Sequence, residues 1–356
     1  MYFKQSNPDF SVVLGLAGAN PLSNFPFYGL ASLPAADTII PYENIFTELR
    51  LNYFSQSLII SPRHVVQDLE GNILSVSFKK HRHHKHGGVT YLGGEKYKFR
   101  HLNNEDITEE PLSFENNTVY IADTEYPGVY GHDLMETVTQ MWALRYIDKC
   151  KIYTSSPIKC LHIKKLISAL GVDLELVNHL DKKTIFTGGV IIPDPAVKLR
   201  KYIHPVAFDV FEKIKSSLII PGDYPKKIYI SRSKVKGRSL INEHEVESFF
   251  KSKGFVIIHP QELDISKQIS IFASAEQIVG AAGSAMHNAV FCSDKAKILM
   301  LSSPSWFVVA DLLIDNGMGR IGYVFGDSSL KDARGMSDWV LSINILQKAV
   351  NDFFGT

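Results

Sequence analysis

The chain has 356 residues, which at about 150 residues per domain suggests two domains. Its hydrophobic fraction of 45% and charged fraction of 21% are ordinary for a globular protein with two apolar cores. The formal net charge of +1 gives no whole-surface attraction to nucleic acid, so we expect no nucleic-acid partner.

The cysteines and the start of the chain indicate a cellular compartment. Cys150, Cys160 and Cys292 form a sparse, odd set without CxxC spacing, which argues against a disulfide framework or a zinc site. The first residues lack the pattern of a signal peptide, and no run of about 18 apolar residues predicts a membrane span. We therefore expect a cytoplasmic protein, and peripheral association with the inner face of a membrane stays open.

The first half of the chain alternates short apolar runs with segments of helical periodicity, which is typical of a sheet covered by helices. The predicted strands are 57–61, 73–78, 118–123, 151–153, 175–177 and 184–186. The predicted helices are 131–146, which has one apolar face, and 163–170, which Gly171 closes.

A basic segment, KKHRHHKHGG, lies at 79–88. Its four histidines have no organising carboxylate, so we interpret the segment as a solvated loop rather than a metal site. Binding of an acidic acceptor or a lipid phosphate is the alternative. The histidines concerned are His81, His83, His84 and His86.

The segment 188–195, GGVIIPDP, is interpreted as the domain boundary, either a linker or a crossover, because two glycines and two prolines surround a short apolar run. An amphipathic helix follows at 205–217, and a second α/β unit begins at Lys226. The last helix is predicted over 338–354. The predicted strands of this second unit are 228–230, 255–258, 277–279, 298–301 and 323–325.

Two arginines follow the first strand of the second unit. Arg232 stands at the carboxyl end of that strand, where open α/β sheets bind ligands, and Arg238 lies across a Lys- and Gly-rich loop. Two guanidinium groups can hold a diphosphate and neutralise the charge of a leaving group. Asn242 and Glu243 begin the next helix, where they could cap the helix or hold the loop. The alternative is a pair of solvated surface arginines.

A glycine-bearing turn, GAAGSA at 280–285, follows the third strand of this unit and opens a helix. Gly283 allows close backbone approach, and the free N–H groups of Ser284 and Ala285 point toward an anion. His287 and Asn288, polar in an apolar segment, could touch the phosphates or the ribose. Capping of the helix is the alternative for both.

The loop after the middle strand offers a further contact. A nucleobase edge could be read by backbone groups around Gln261, and Glu262 could accept the ribose hydroxyls. A plain turn is equally compatible with this sequence.

The span from Tyr229 to Phe291 resembles glycosyltransferase family 61. The matching pieces are YISR at 229–232, Arg238, NE at 242–243, HPQEL at 259–263 and GAAGSAMHNAVF at 280–291. The resemblance implies an α/β protein of GT-B architecture, in which two Rossmann-like domains face each other across a cleft. It also implies inverting transfer from a nucleotide sugar, mostly UDP-linked N-acetylglucosamine or xylose.

The resemblance implies a division of labour between the domains. Residues 1–188 would be the acceptor domain, 189–338 the nucleotide-sugar domain, and the helix of 339–356 would pack back on the first. Bacterial relatives are assigned to capsule and other surface-glycan synthesis. The acceptor would therefore be a glycan or a lipid-linked oligosaccharide.

The family also implies a motif in which an aromatic residue, Gly or Phe, and His precede an acid four residues later. Tyr130, Gly131, His132 and Glu136 fit it. Residues four apart share a helix face, and an inverting transfer needs one base for the acceptor hydroxyl. We expect Glu136 to be that base, then His132, then Asp133, which stands where many relatives have a bulky aromatic residue.

No DxD pair occurs, so we expect donor binding without a divalent metal or other cofactor, with arginines and a helix dipole in its place. A dehydrogenase or epimerase would need a GxGxxG turn after its first strand and an acid about 20 residues further on, and we find no such motif there. The remaining alternative is a non-catalytic protein that binds a nucleotide sugar or a glycan on the same fold.

Overall fold

The computed structural model describes the following residues: 10–21, 26–29, 43–55, 58–60, 65–77, 89–93, 96–99, 118–154, 157–180, 184–303, 306–307, 309–316, 318–327 and 338–355. They divide into two compact units. The first unit draws on Met1–Gly18, Thr47–Val197 and His204–Val210, and the second on Ala19–Phe46, Lys198–Ile203 and Phe211–Thr356. The histidine cluster at 81–86 lies outside the described residues.

Both units mix strands and helices. In chain order the strands are β1 (Phe10–Gly15), β2 (Gly18–Pro21), β3 (Phe27–Tyr28), β4 (Glu43–Phe46), β5 (Leu49–Phe54), β6 (Leu58–Ile60), β7 (Val66–Asp68), β8 (Val89–Gly93), β9 (Lys96–Phe99), β10 (Thr118–Ile121), β11 (Lys151–Thr154), β12 (Val177–His179), β13 (Ile185–Thr187), β14 (Gly189–Pro193), β15 (Val197–Lys198), β16 (Tyr202–Ile203), β17 (Lys227–Ile230), β18 (Val256–Ile258), β19 (Gln277–Ala281), β20 (Lys297–Ser302) and β21 (Ile321–Phe325).

The described α-helices are α1 (Tyr130–His132), α2 (Leu161–Ala169), α3 (Pro205–Leu218), α4 (Glu243–Ser252), α5 (Ile265–Ser274), α6 (Val309–Asp315) and α7 (Ile343–Phe354). A π-helical segment covers Asp133–Val138. Short 3₁₀ helices cover Ser75–Ser77, Met141–Tyr146, Leu174–Leu176, Pro260–Glu262 and Ser284–Phe291. No helix in the described part of the chain combines the length and apolar character needed to cross a bilayer.

The first unit is built on a six-stranded sheet in the order β1-β5-β14-β10-β11-β12. Strands β14, β10, β11 and β12 run parallel, whereas β5 is antiparallel to both of its neighbours. Alternate residues such as Val119 and Ile121 on β10 and Val190 and Ile192 on β14 share one core, because strand side chains point to opposite faces in turn.

The prediction of a linker at 188–195 is wrong, because most of this segment forms β14, between β5 and β10 in the sheet. All five residues of β14 are buried. A short apolar run between glycines and prolines is shared by linkers and by central strands. The partners that distinguish them, Phe54 and Thr118, lie far away in sequence.

Two predicted strands of the first half are instead largely turns. The run 73–78 contains a 3₁₀ helix at Ser75–Ser77, where the Ser77 hydroxyl donates to the Leu74 carbonyl (2.7 Å) and accepts the Val66 N–H (3.0 Å). Such local bonds compete with sheet pairing. The run 175–177 is mostly the turn Leu174–Leu176, and β12 begins only at Val177.

The helix predicted over 131–146 is divided into α1, the π-helical segment and a 3₁₀ helix. Along this segment, side-chain hydroxyls donate hydrogen bonds to backbone carbonyls. The Thr139 hydroxyl donates to the Met135 carbonyl at 2.6 Å, and the Tyr120 hydroxyl donates to the Gln140 carbonyl at 2.5 Å. Bonds of this kind bend helices, and π-helical turns are frequent at functional sites.

The second unit is built on an all-parallel sheet in the order β18-β17-β19-β20-β21-β3. Counted from β17, its first five strands follow the doubly wound order 2-1-3-4-5. The chain leaves β17 through α4 to β18 on one side, then crosses through α5 to β19 on the other. The direction of winding therefore reverses between β17 and β19, and such sheets bind ligands at the carboxyl ends of these strands.

The terminal helix α7 packs on the sheet of the second unit, although the resemblance implied packing on the first domain. Leu346 and Val350 are buried in one cluster with Tyr229, Val279 and Leu299. The unit boundaries also differ from a single division at 188–189, since 19–46 contributes to the second unit. The functional division into acceptor and donor domains stays a prediction.

Candidate functional sites

The backbone after β17 is held by a carboxylate from the next helix. The Arg232 N–H donates to Glu243 Oε1 at 2.6 Å, and the Tyr229 hydroxyl donates to the same oxygen at 3.2 Å. Glu243 lies buried in the first turn of α4, and burial raises the pKa of its carboxyl above the ordinary value. Of the two roles that the sequence left open for Asn242 and Glu243, capping the helix or holding the loop, Glu243 takes the second at the start of the loop.

The Arg232 side chain lies over the glycine turn. Its Nη2 donates to the Gly237 carbonyl at 3.1 Å. A Cβ atom added at Gly283 would lie 2.9 Å from Arg232 Nη1. The structure therefore brings together the strand-end arginine and the turn after β19, at the point where the sheet reverses its winding.

Arg238 has an unusual backbone and a stacked side chain. Its φ of 53° lies in the left-handed region, which only few non-glycine residues occupy. Its guanidinium carbon lies 3.9 Å from the centre of the Trp306 ring, and its carbonyl accepts the Trp339 Nε1–H at 3.3 Å. Strained backbone of this kind clusters at ligand sites.

The charge of Arg238 is incompletely satisfied. Burial, and after it the charge of the neighbouring Arg232, lower the pKa of its guanidinium to about 10. The Nη1 atom of Arg238 is buried and has no hydrogen-bond partner among the described residues. A buried, unpaired donor on a cation is costly to leave alone, so an anion at this position would stabilise it.

Both arginines line one pocket, together with residues that the sequence analysis missed. Ser302, Ser303 and Trp306 enter it from the carboxyl end of β20. Open α/β sheets bind ligands at the carboxyl ends of their strands, and this rule applies to the end of β20 as it does to Arg232 after β17. Applying the rule to β20 required knowing which strands lie next to it in the sheet.

The remaining predicted residues of the glycine turn fall into two groups. Ser284 and Ala285 are half-buried in the first turn of the 3₁₀ helix that follows Gly283. His287 and Asn288 are buried instead: His287 Nε2 lies 3.5 Å from Asp311 Oδ1, and the Asn288 amide donates to Gln268 Oε1 at 2.9 Å. The second pair fastens the helix to its surroundings, and direct contact with a donor stays a prediction for it.

The other donor-binding candidates have separate contacts. Both ends of the Asn242 amide bind the backbone of Leu341, at 2.9 and 3.1 Å, and its side chain does not cap α4. Glu262 is exposed and pairs with Lys234 at 2.6 Å, and Gln261 is exposed beside it. Their contact with a donor likewise stays a prediction.

In the first unit, Glu136 accepts three hydrogen bonds on one carboxylate oxygen. Its Oε2 lies 2.7 Å from the Thr124 hydroxyl, 2.7 Å from the Glu125 N–H and 3.0 Å from His132 Nδ1. A carboxylate at Nδ1 fixes the tautomer in which Nδ1 carries the proton and Nε2 is the acceptor. The geometry makes Glu136 the partner that orients His132, and Nε2 of His132 the open basic atom.

Asp133 is buried and holds a neighbouring turn. Its Oδ2 accepts the Gly128 N–H at 3.1 Å, and its Oδ1 accepts the Thr137 hydroxyl at 3.4 Å. Burial raises the pKa of the Asp133 carboxyl to about 6, with both hydrogen bonds acting in the opposite direction. These contacts give Asp133 a structural task.

The same segment contains a set of residues compatible with a metal ion. Glu125, His132 and Glu136 each offer one ligand atom, and these atoms lie within 4.8 Å of one another. Since Glu136 Oε2 already accepts two protein donors besides the histidine, the set is equally consistent with an acid–histidine pair. The expectation of metal-independent binding stays a prediction.

The second unit is a doubly wound α/β unit with two arginines in one pocket at the reversal point of its parallel sheet, a place that would suit a phosphate-bearing ligand. Residues 130–299 match the family model described as glycosyltransferase 61. This match confirms the resemblance to glycosyltransferase family 61 over these residues, and it supports glycosyl transfer from a sugar donor to a glycan acceptor.

Among solved structures, the chain is similar to the crystal structure of the bacterial iron-containing dodecameric glycosyltransferase TibC from enterotoxigenic E. coli H10407. The TM-score is 0.28 and the identity 11%, over 83% of this chain and 80% of that chain. A likeness this weak supports no conclusion about substrate, metal or assembly. No curated protein matches the sequence significantly.

Proposed function

We propose that the protein is an inverting glycosyltransferase whose donor is a nucleotide sugar, UDP-linked as in similar family members. The observation that carries the proposal is the placement of Arg232 against Gly283 and of Arg238 in the same pocket as Arg232, with a buried Nη1 of Arg238 that lacks a partner among the described residues. Two cations and the start of a 3₁₀ helix suit a diphosphate and the charge that develops on it as it leaves.

The acceptor hydroxyl is activated by His132 in this proposal. Nε2 of His132 removes the hydroxyl proton while the oxygen forms a bond to the anomeric carbon of the donor. The bond from that carbon to the diphosphate breaks, and the nucleoside diphosphate leaves with the electron pair. Glu136 holds the ring and stabilises the imidazolium, which differs from our first expectation that Glu136 is the base.

The proposal extends to architecture and setting. Each unit contains its own sheet with parallel strands, which is compatible with the two domains of a GT-B enzyme. The acceptor is a glycan or a lipid-linked oligosaccharide of a surface polysaccharide, and the protein works in the cytoplasm or at the inner face of the membrane. A crystal structure with bound UDP would test the architecture.

The experiment is a thermal-shift screen of the purified protein against UDP-, GDP- and CMP-sugars, repeated with EDTA. Ligands that bind only the folded state raise the unfolding temperature. We expect stabilisation by UDP-sugars, unchanged by EDTA, and slow hydrolysis of the donor without acceptor. Binding without any hydrolysis would favour the non-catalytic alternative, and no response to any nucleotide sugar would refute the donor site.

A further inference from the structure

The turn that precedes α1 carries an exposed aromatic ring. Tyr126 is 55% exposed, and its ring packs edge-to-face against His132 with the centroids 4.9 Å apart. Tyrosine is large and apolar over most of its surface, and at this exposure about half of Tyr126 is accessible. An exposed aromatic side chain in contact with the histidine that the proposed function makes the base is a candidate surface for a ligand.

The position of this ring is fixed by the backbone. The Val129 N–H donates to the Tyr126 carbonyl at 3.3 Å, with Pro127 second and Gly128 third in the turn. The φ of 81° at Gly128 is that of a type II turn, which requires a positive φ at this position.

Two acids of the π-helical segment, Asp133 and Glu136, accept backbone hydrogen bonds from this turn and from the residue before it. Glu136 accepts the N–H of Glu125, and Asp133 accepts the N–H of Gly128. Both carboxylates therefore place Tyr126 and His132 relative to each other. The turn is pre-organised, so little conformational entropy is lost when a ligand packs on the ring.

We propose that Tyr126 is the platform on which the acceptor's sugar ring stacks, so that one hydroxyl reaches Nε2 of His132. The inference rests on the proposed function and names the acceptor as a pyranose presented by its apolar C–H face. A sugar ring offers such a face together with hydroxyls at its rim, which suits an aromatic ring beside a base. The exposed side chain of Val129 extends the apolar surface at the end of the same turn.

The test uses methyl glycosides of the common hexoses, N-acetylhexosamines and pentoses as probes. Saturation-transfer NMR is recorded with the full chain in the presence of UDP, for the wild type, Tyr126→Ala, Tyr126→Phe and Tyr146→Ala. Tyr146 is the matched control because it is 50% exposed in the same unit and packs near Trp142 instead of His132.

We expect at least one methyl glycoside to bind the wild type and Tyr126→Phe, and to bind Tyr126→Ala at least about fivefold more weakly. Tyr146→Ala should behave as the wild type. Equal binding by wild type and Tyr126→Ala would overturn the inference. So would silence of the whole panel, or a Tyr126-dependent response to phosphatidylglycerol vesicles without any response to glycosides.

Failure of this inference is distinguishable from failure of the proposed function. Calorimetry with UDP and donor hydrolysis are measured on the wild type alongside the glycoside titrations. If the wild type neither binds UDP nor hydrolyses any nucleotide sugar, the proposed function fails. If it does both, and the glycoside response does not depend on Tyr126, only the platform is wrong.

Discussion

At the scale of single residues, the two arginines differ in what a substitution removes. Arg232→Ala deletes a cation at the glycine turn, and we expect UDP affinity to fall by about a hundredfold or more. Isothermal titration calorimetry with UDP measures this effect directly. Unchanged affinity with an intact fold would exclude Arg232 from the donor site.

Arg238→Lys keeps the charge but loses the planar fork that stacks on Trp306. Since lysine binds phosphate as a point charge, we expect the dissociation constant for UDP to rise about tenfold. The same calorimetric titration measures it. A matched control is Lys234→Arg, an exposed cation of the same loop that pairs with Glu262. An Arg238→Lys protein that binds UDP like the wild type would show that the stack has no part in binding.

The roles of His132 and Glu136 are separable by a double-mutant cycle. If His132 is the base and Glu136 orients it, His132→Gln and Glu136→Gln should each lower kcat, by roughly a hundredfold to ten-thousandfold for the base. The double variant should be little worse than His132→Gln, because residues that act as a unit are non-additive. Steady-state transfer kinetics give the four rates.

The opposite assignment has a different signature in this cycle. If Glu136 is itself the base, Glu136→Gln should be the more damaging single change, and His132→Gln should retain much of the activity. Asp133→Asn supplies the third comparison. It should retain transfer, because an asparagine oxygen can still accept the Gly128 N–H.

At the scale of elements, we expect different effects from substitution of two nearby glycines, Gly280 near the end of β19 and Gly283 in the turn after it. A Cβ at Gly283 would meet only the end of the Arg232 side chain at 2.9 Å, which can move aside. A Cβ at Gly280 would lie 2.5 Å from Met286 Sδ and 2.9 Å from Ile230 Cβ, inside the packed sheet and helix. Overpacking of a core typically costs about 1–3 kcal/mol.

We therefore expect Gly283→Ala to weaken UDP binding with little change in unfolding temperature, and Gly280→Ala to lower the unfolding temperature. Calorimetry and thermal denaturation of both variants measure the two effects. A Gly283→Ala protein that lost stability and kept its UDP affinity would contradict this expectation, because the displaced Arg232 side chain would then have a structural role.

The elements around the donor pocket were largely predictable from the sequence. The strand at 228–230 and the turn at 280–285 each carry a local signal, and the alternating α/β order brings parallel strand ends together. The contribution of Trp306 was not predictable, because it depends on β20 lying next to β19 in the sheet. The identity of β14 depended likewise on partners distant in sequence.

The π-helical segment shows a second limit of sequence reasoning. The pattern of apolar residues over 131–146 has ordinary helical spacing, and it correctly placed His132 and Glu136 on one side. It could not show that Glu136 Oε2 also accepts the Thr124 hydroxyl and the Glu125 N–H, the contacts on which we base the proposal that Glu136 orients His132. Such a role depends on the position of the loop that carries Thr124 and Glu125, and the spacing of apolar residues does not predict that position.

At the scale of the whole molecule, a buried acid should shape the dependence of stability on pH. Asp311 on α6 is fully buried, and neither carboxylate oxygen has a hydrogen bond among the described residues. Burial raises the pKa of Asp311 to about 8. His287 Nε2 lies 3.5 Å from Asp311 Oδ1, and burial together with the charges of Asp311 and Asp315 raises the pKa of Tyr323.

The sign of the effect follows from proton binding. In the unfolded chain an aspartate loses its proton near pH 4, whereas folded Asp311 keeps it up to about pH 8. Between these values the folded state binds the extra proton, so the contribution of Asp311 to stability falls as the pH rises from about 4 to about 8. Asparagine is neutral throughout and removes this loss.

We therefore expect Asp311→Asn to unfold at a higher temperature than the wild type, by several degrees at about pH 8 and by much less at about pH 5. Thermal denaturation followed by circular dichroism at a series of pH values measures the difference. The control is Asp315→Asn, because Asp315 accepts the N–H groups of Gly319 and Arg320 at 2.8 Å and should be needed at every pH. If Asp311→Asn is instead destabilised, and most at neutral pH, the carboxylate is ionised and paired with a protonated His287, which would make the pair a charged clamp on the helix that follows Gly283.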